Sequence, residues 1–476
     1  LGRNDLNINC KSFKWIDNCI NNSGAKKEEK TALHVAVEKE YLDICELLLK
    51  RDDLDINAIS INYIRKNIND DYTKIEQTAL HIAVTNNCLN IINLLLTREE
   101  LDINAKSIKY IKDAQYFDYF KEIRTSIHIA VINQFFDIVI VLLSQKTIDV
   151  SIKYSYKKCN EWEDKKQMNE FYEKMKNNNK LGEYIKENGE INAENNNEIE
   201  NKGDNNIEID NNEEYNKEEN FNNNNVYDDE LREEYEDLGE EYEDIIEYYD
   251  QTKEDDDIEE KEEEKTLLHL VVAKNDFETL QLLMDRQDID INEESQYCCY
   301  YSNKATLTTK TALLIAVENN YLNIISLLLS HQNININVIL KKYTMESLNG
   351  SINEKYEEKT VLHIAIEKHN FKMLQYLLSQ QEINLNIYYY FIKAKKLEEN
   401  RESEIYEEFY IGNKTLLDIA IEQKGLRIIH YLISFFDLIN LNERSSCFIE
   451  KKETQTKIIQ KTVLQYAIEN SNIEII

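Results

Sequence analysis

The sequence predicts an all-α repeat solenoid, a stack of helix-turn-helix units that carries β-hairpin fingers. Three observations support that reading. A phrase that opens on Thr returns eight times, at Thr31, Thr78, Thr125, Thr266, Thr311, Thr360, Thr415 and Thr462. A second apolar run follows, such as ICELLL or IINLLL, and a DIN-like triplet then closes the unit. The triplet ends 26 residues after the Thr in six of seven complete copies, and 27 residues after it at Asn442. Constant length under variable sequence means a rigid body, and self-similarity at such a period marks a stacked array.

The elements follow in order along each unit. Thr is a good N-cap, because its hydroxyl accepts a hydrogen bond from a free amide of the first turn. Leu33, Val35, Ala36 and Val37 then recur at helical spacing, as do Leu42, Ile44, Cys45, Leu47, Leu48 and Leu49 in the second run. Between the runs the first helix must stop, at Glu40, Asn87, Gln134, Asn275, Asn320, His369, Lys424 or Ser471. The three Asn suit the left-handed conformation that ends a helix. Neither helix is long enough to bury its apolar face alone, so the copies must stack.

TALHVA at 31–36 and TALHIA at 78–83 resemble the signature of the ankyrin repeat, T-P-L-H-x-A, with Ala in place of Pro. The resemblance covers everything outside one acidic segment. The chain departs from the family pattern in having no proline, no glycine at the end of the first helix, and a period of 45 to 55 residues. The resemblance implies non-catalytic binding of other proteins across a groove formed by fingers and first helices. It also implies a structural role for the histidine of the phrase (His34, His81, His128, His269 and His363, after Thr31, Thr78, Thr125, Thr266 and Thr360). Spacing agrees, since one histidine per repeat cannot gather into a metal site.

All the surplus length lies between the DIN residue and the next Thr. Those gaps alternate like strands, as in SINYI followed by YTKIEQ, and predict elongated fingers rich in Tyr and Phe. The gap from Ser151 to Thr266 is 115 residues. The expected organisation is therefore 1–158 as repeats, 159–265 as an acidic, largely disordered insertion, and 266–476 as repeats resuming in register. Incomplete units at both ends lead us to expect a piece of a longer protein. A regulatory or targeting arm of a larger enzyme or membrane protein is thus the alternative to a free-standing scaffold or adaptor.

Charge concentrates in the insertion. Residues 161–265 hold 40 acidic and 12 basic side chains, so −28 of the formal −34 sits there and −6 on the remainder. Nucleic acid is not an expected partner. No apolar run reaches the ~18 residues of a membrane span, so no membrane insertion is expected, and without a signal peptide the expected location is cytoplasmic. Phosphate loops and catalytic motifs are missing too, so neither an enzyme nor a cofactor is expected. Candidate partner-binding residues are the finger tyrosines Tyr63, Tyr110, Tyr119, Tyr343 and Tyr389, because aromatics with a polar tip dominate binding hot spots. A second candidate is the heptad-like stripe Leu231, Tyr235, Leu238 and Tyr242 in the acidic insertion, suited to a basic, grooved partner.

Overall fold

The computed structural model describes residues 7–18, 23–65, 72–113, 118–160, 260–301, 304–348, 351–397, 408–435, 444–451 and 457–469. The chain divides into two units, Leu1–Lys165 with Ile258–Ile476, and Lys166–Asp257; the described residues all belong to the first.

Each Thr of the phrase sits just before a short helix: Ala32–Glu38, Ala79–Thr85, Ser126–Ile132, Leu267–Ala273, Ala312–Glu318, Val361–Glu367, Leu416–Glu422 and Val463–Glu469. These first helices pack one on the next, including Ser126–Ile132 directly on Leu267–Ala273. The array therefore continues from the third repeat to the fourth although 134 residues of sequence lie between these two helices. Second helices, from Leu42–Leu49 to Leu426–Ile433, pack behind their own first helices. Between the two helices the chain reverses through a positive φ at Glu40, Asn87, Gln134, Asn275, Asn320, His369 and Lys424, ranging from 50° to 60°. The turn imposes the left-handed conformation whatever residue occupies it.

The all-α expectation is too narrow. The fingers do not project as separate hairpins; they join edge to edge into one antiparallel sheet of 16 strands in sequence order, from β1 (Ser12–Asn18) to β16 (Lys457–Thr462). Residues 260–265, grouped with the acidic insertion on composition, form β8 (Glu260–Lys265) between β7 (Tyr154–Asn160) and β9 (Ser295–Tyr301). Register runs unbroken across the sheet, with its one shift between Asp17 and Asn18. Period-2 alternation therefore assigns every finger residue to one of two faces.

The DIN triplet locks neighbours together. Its Asp accepts from the Asn amide two residues on, as Asp102 Oδ1 does from Asn104 N at 3.0 Å. Its Ile is core, with Ile56 and Ile103 buried. Its Asn clamps the next repeat: Asn57 Nδ2 donates to Glu100 O at 2.7 Å while Asn57 Oδ1 accepts from Asp102 N at 2.8 Å. Asn9, Asn104, Asn292 and Asn337 make the same pair of bonds. Ser151 holds this place at the joint between the third and fourth repeats, and its Oγ bonds back to Asp149 at 2.6 Å. That joint keeps the Arg286 guanidinium, which donates to Leu143 O at 3.1 Å and Ile148 O at 3.3 Å, much as Arg98 donates to Leu49 O and Arg51 O at the clamped joint of Asn57.

Ser151→Asn should supply the missing clamp, onto the carbonyl of Asp288 and the amide of Asp290, and raise stability by about 1 kcal/mol; Asn104→Ala should lower it by a similar amount. Denaturant titration of the full chain checks both, and an unchanged midpoint for Ser151→Asn would refute the clamp.

Candidate functional site

The histidine of the phrase completes a capping box. In that motif the N-cap hydroxyl serves the third helical residue, whose side chain reaches back to the N-cap amide. Thr78 N donates to His81 Nδ1 at 3.2 Å, and His34, His128, His269 and His363 accept likewise at 3.1 to 3.3 Å. With Nδ1 accepting, the proton resides on Nε2, and His34 Nε2 donates to Ala58 O at 3.0 Å. The carbonyls of Ala105, Ile152 and Glu293 stand in the same relation to His81, His128 and His269, short of full hydrogen-bond geometry. Asp418 and Gln465 substitute because their oxygens do the same work: Thr415 N donates to Asp418 Oδ2 and Thr462 N to Gln465 Oε1, both at 2.9 Å. Leu314 leaves only the hydroxyl half of the box, with Thr311 Oγ1 accepting from Leu314 N at 3.4 Å. Burial pushes the imidazoles down, to about 4 in His34, His128 and His269 and about 3 in His81 and His363. These neutral rings are scaffold.

The two faces of the sheet differ. One face looks onto the first helices. There Lys30, Lys310, Lys359 and Lys414, each just before its Thr, reach Glu38, Glu318, Glu367 and Glu422 at 2.7, 2.6, 2.8 and 2.5 Å. This explains the basic residue that precedes the phrase. Arg124 and Lys265 precede helices without that Glu and turn instead to Glu122 and Glu263, at 3.7 and 2.7 Å. Glu263 and Glu357 are buried on this inner face; burial alone would raise their carboxyls, but the adjoining lysines, with Tyr389 at Glu357, hold both below the usual range.

Register separates the predicted tyrosines. Tyr63, Tyr110 and Tyr343 fall in one row on the outer face, together with Tyr356, across β3 (Ser60–Arg65), β5 (Lys106–Asp113), β11 (Ile339–Leu348) and β12 (Ser351–Thr360). All are half-buried. Tyr119 lies one row further out and packs on Tyr110 with ring centroids 6.1 Å apart. Tyr110 also lies beneath Lys74 and Lys121, at 5.5 and 5.7 Å. Tyr389 belongs to the other face. It is 8% exposed, donates its hydroxyl to Glu357 and stands 6.2 Å from the His363 ring, so packing claims it. The stripe of Leu231, Tyr235, Leu238 and Tyr242 lies outside the described residues. Among those residues no cluster of His, Cys, Asp and Glu can hold a metal, and no helix is long and apolar enough to cross a membrane.

A family model described as ankyrin repeats (3 copies) matches residues 9–107, 66–154 and 239–340. No curated protein matches the chain.

The neutral histidines make stability depend on pH. They stay unprotonated in the fold yet protonate near pH 6.5 once unfolded. Stability is therefore full above about 6.5 and falls as pH drops toward about 4, by about 1.4 kcal/mol per histidine per pH unit. His81→Gln keeps the box, as Gln465 does, and should reduce the slope by about one proton; His81→Leu leaves the Thr78 amide unpaired and should cost about 1–3 kcal/mol at pH 7. Chemical denaturation between pH 5 and 7 reads both, and an unchanged slope in His81→Gln would sink the assignment.

Proposed function

Because the chain belongs to the ankyrin repeat family, we propose that it is a non-catalytic scaffold or adaptor that binds other proteins along its sheet and groove. Ankyrin repeats generally mediate protein–protein interaction. The observation that supports a binding surface in this chain is the outer row of Tyr63, Tyr110, Tyr343 and Tyr356, held in line by unbroken register. Large, rigid aromatics with a polar tip bind at low entropic cost, and a row of them presents that chemistry along the array. Tyr110 with Tyr119 forms the centre of the proposed surface, flanked by Lys74 and Lys121. We place the repeat array in 1–158 and 266–476, with strand β8 returned to it from the segment between, and propose a cytoplasmic setting.

The test is cross-linked capture of partners by the full chain and by the Tyr63→Ala, Tyr110→Ala, Tyr343→Ala triple variant. Loss of at least ten-fold in the recovered partner is expected, about 1.4 kcal/mol or more in affinity. A thermal melt confirms that the triple variant remains folded. Capture at unchanged yield by a folded triple variant would remove the outer row as the binding surface.

A further inference from the structure

The inner face carries a different chemistry. One cross-strand row on it runs from Ile16 to Ile449 and Lys457 without a break, and its charged members are Lys26, Lys158, Lys261, Lys355, Lys393 and Lys457. No carboxylate interrupts it. Lys158 faces Lys261 directly, and Lys355 faces Lys393. Like charges directly opposite on a sheet destabilise it. On the outer face the adjacent row mixes Lys27, Lys74, Lys121 and Lys157 with Glu262, and the row nearest the stack carries Glu29, Glu76, Glu264 and Glu358 against Lys341. What sets the inner row apart is that its charged members are all lysines, in a chain whose net charge is −34.

Within the row the lysines form two clusters. At the first, Lys261 and Lys265 share the single carboxylate of Glu263, at 3.2 and 2.7 Å, beside Lys158. Lys158 lies over the Phe120 ring at 5.6 Å, and Lys261 over Tyr156 and Tyr297 at 5.7 and 5.6 Å. At the second, Lys355 and Lys359 share Glu357 at 2.9 and 3.6 Å, with Lys342 and Lys393 on the strands either side. Lys342 and Lys393 are exposed. Four strand spacings of about 4.8 Å separate the cluster centres on β8 and β12, about 19 Å, which an extended peptide crosses in about six residues.

We propose that this inner face docks an acidic stretch of polypeptide from a partner protein, with carboxylates on the two lysine clusters and the intervening residues over Tyr297, Cys299, Thr306 and Thr344. The proposal rests on the reading of the chain as a partner-binding scaffold and adds a second surface, on the face opposite the tyrosine row, with the chemistry of what it takes. A polypeptide fits better than nucleic acid because the helix-side edge of the face is bordered by Glu38, Glu318, Glu367 and Glu422. A duplex carrying one charge per ~1.7 Å would lay phosphates against them, whereas a peptide places its carboxylates only where the lysines are.

Fluorescence anisotropy of labelled poly-L-glutamate, about 20 residues long, against the full chain tests this, with labelled duplex DNA of equal charge as the second arm. Lys342→Glu with Lys393→Glu reverses inner-face charge; Lys106→Glu with Lys341→Glu makes the same change on the outer face. Polyglutamate should bind at low salt, weaken at least ten-fold in the inner-face pair and less than two-fold in the outer-face pair, and weaken further as salt screens the contact. No binding at low salt, equal loss in both pairs, or tighter binding of DNA would overturn the proposal. The tyrosine test above is read separately: capture that depends on the tyrosines, together with no polyglutamate binding, leaves the scaffold reading standing and removes only the acidic partner.

Discussion

The structure depends on a match between two lengths. Helices pack at about 8–10 Å, and two adjacent β-strands occupy about 9.6 Å. One helix pair and one hairpin per repeat therefore advance by the same distance, and each hairpin meets the next already in hydrogen-bonding range. Isolated hairpins are marginal in water, and open sheets of this many strands ordinarily curl or split. Here the helical stack sets the spacing, so strands such as SFKWIDN and EKEEEK, with little apolar alternation, are held in a single register.

The stack that imposes this spacing is built from few devices, applied in each repeat. The capping box fixes where the first helix starts, and the left-handed turn fixes where it ends. Glu40, Gln134, His369 and Lys424 occupy that turn at a cost of order 1 kcal/mol each relative to residues suited to it. Buried methyl groups on both sides of every joint, with the Asn clamp at the rim, offset the cost. The joint at Ser151 has the core and lacks the clamp. It is also where the sequence departs from the repeat for the longest stretch, so the least tied interface of the described array lies beside its largest interruption.

Much of the fold could be read from the chain, because its signals are local. Thr at the N-cap, helical spacing of Leu and Ala, and the constant 26-residue distance act within one unit. The turn position too was legible, down to the residue. The roles of His34 and its counterparts were half legible: one per repeat excluded a metal site, but a capping box is ordinarily written with Glu or Gln. Only the shared geometry of His81, Asp418 and Gln465 shows that the position needs an acceptor and not an imidazole. The Asn clamp was hidden because its partners are backbone groups 41 to 47 residues away. Tyr388, Tyr389 and Tyr390 show the remaining difficulty. In a run of three tyrosines nothing local says which faces the helices; register decides it, and register is set by strands far along the chain.

The same parity gives the sheet two surfaces. Residues before the phrase must satisfy the ends of the first helices, so most inner-face positions nearest the stack are lysine, serine or tyrosine, with Gln77, Arg124 and Leu340 at others. Ser60 and Ser295, for example, bond the facing carbonyls of Gln77 and Lys310 at 2.9 Å. Each buried glutamate one step out neutralises part of that lysine charge and leaves the next row positive. No such constraint reaches the outer face, where Tyr63, Tyr110 and Tyr343 pack on their neighbours and keep part of their rings in water. The difference thus begins as a requirement of folding: lysines that tie strands to helices occupy the inner edge of the sheet, while the row of Tyr63, Tyr110, Tyr343 and Tyr356, needed by neither helix nor cap, lies on the other face.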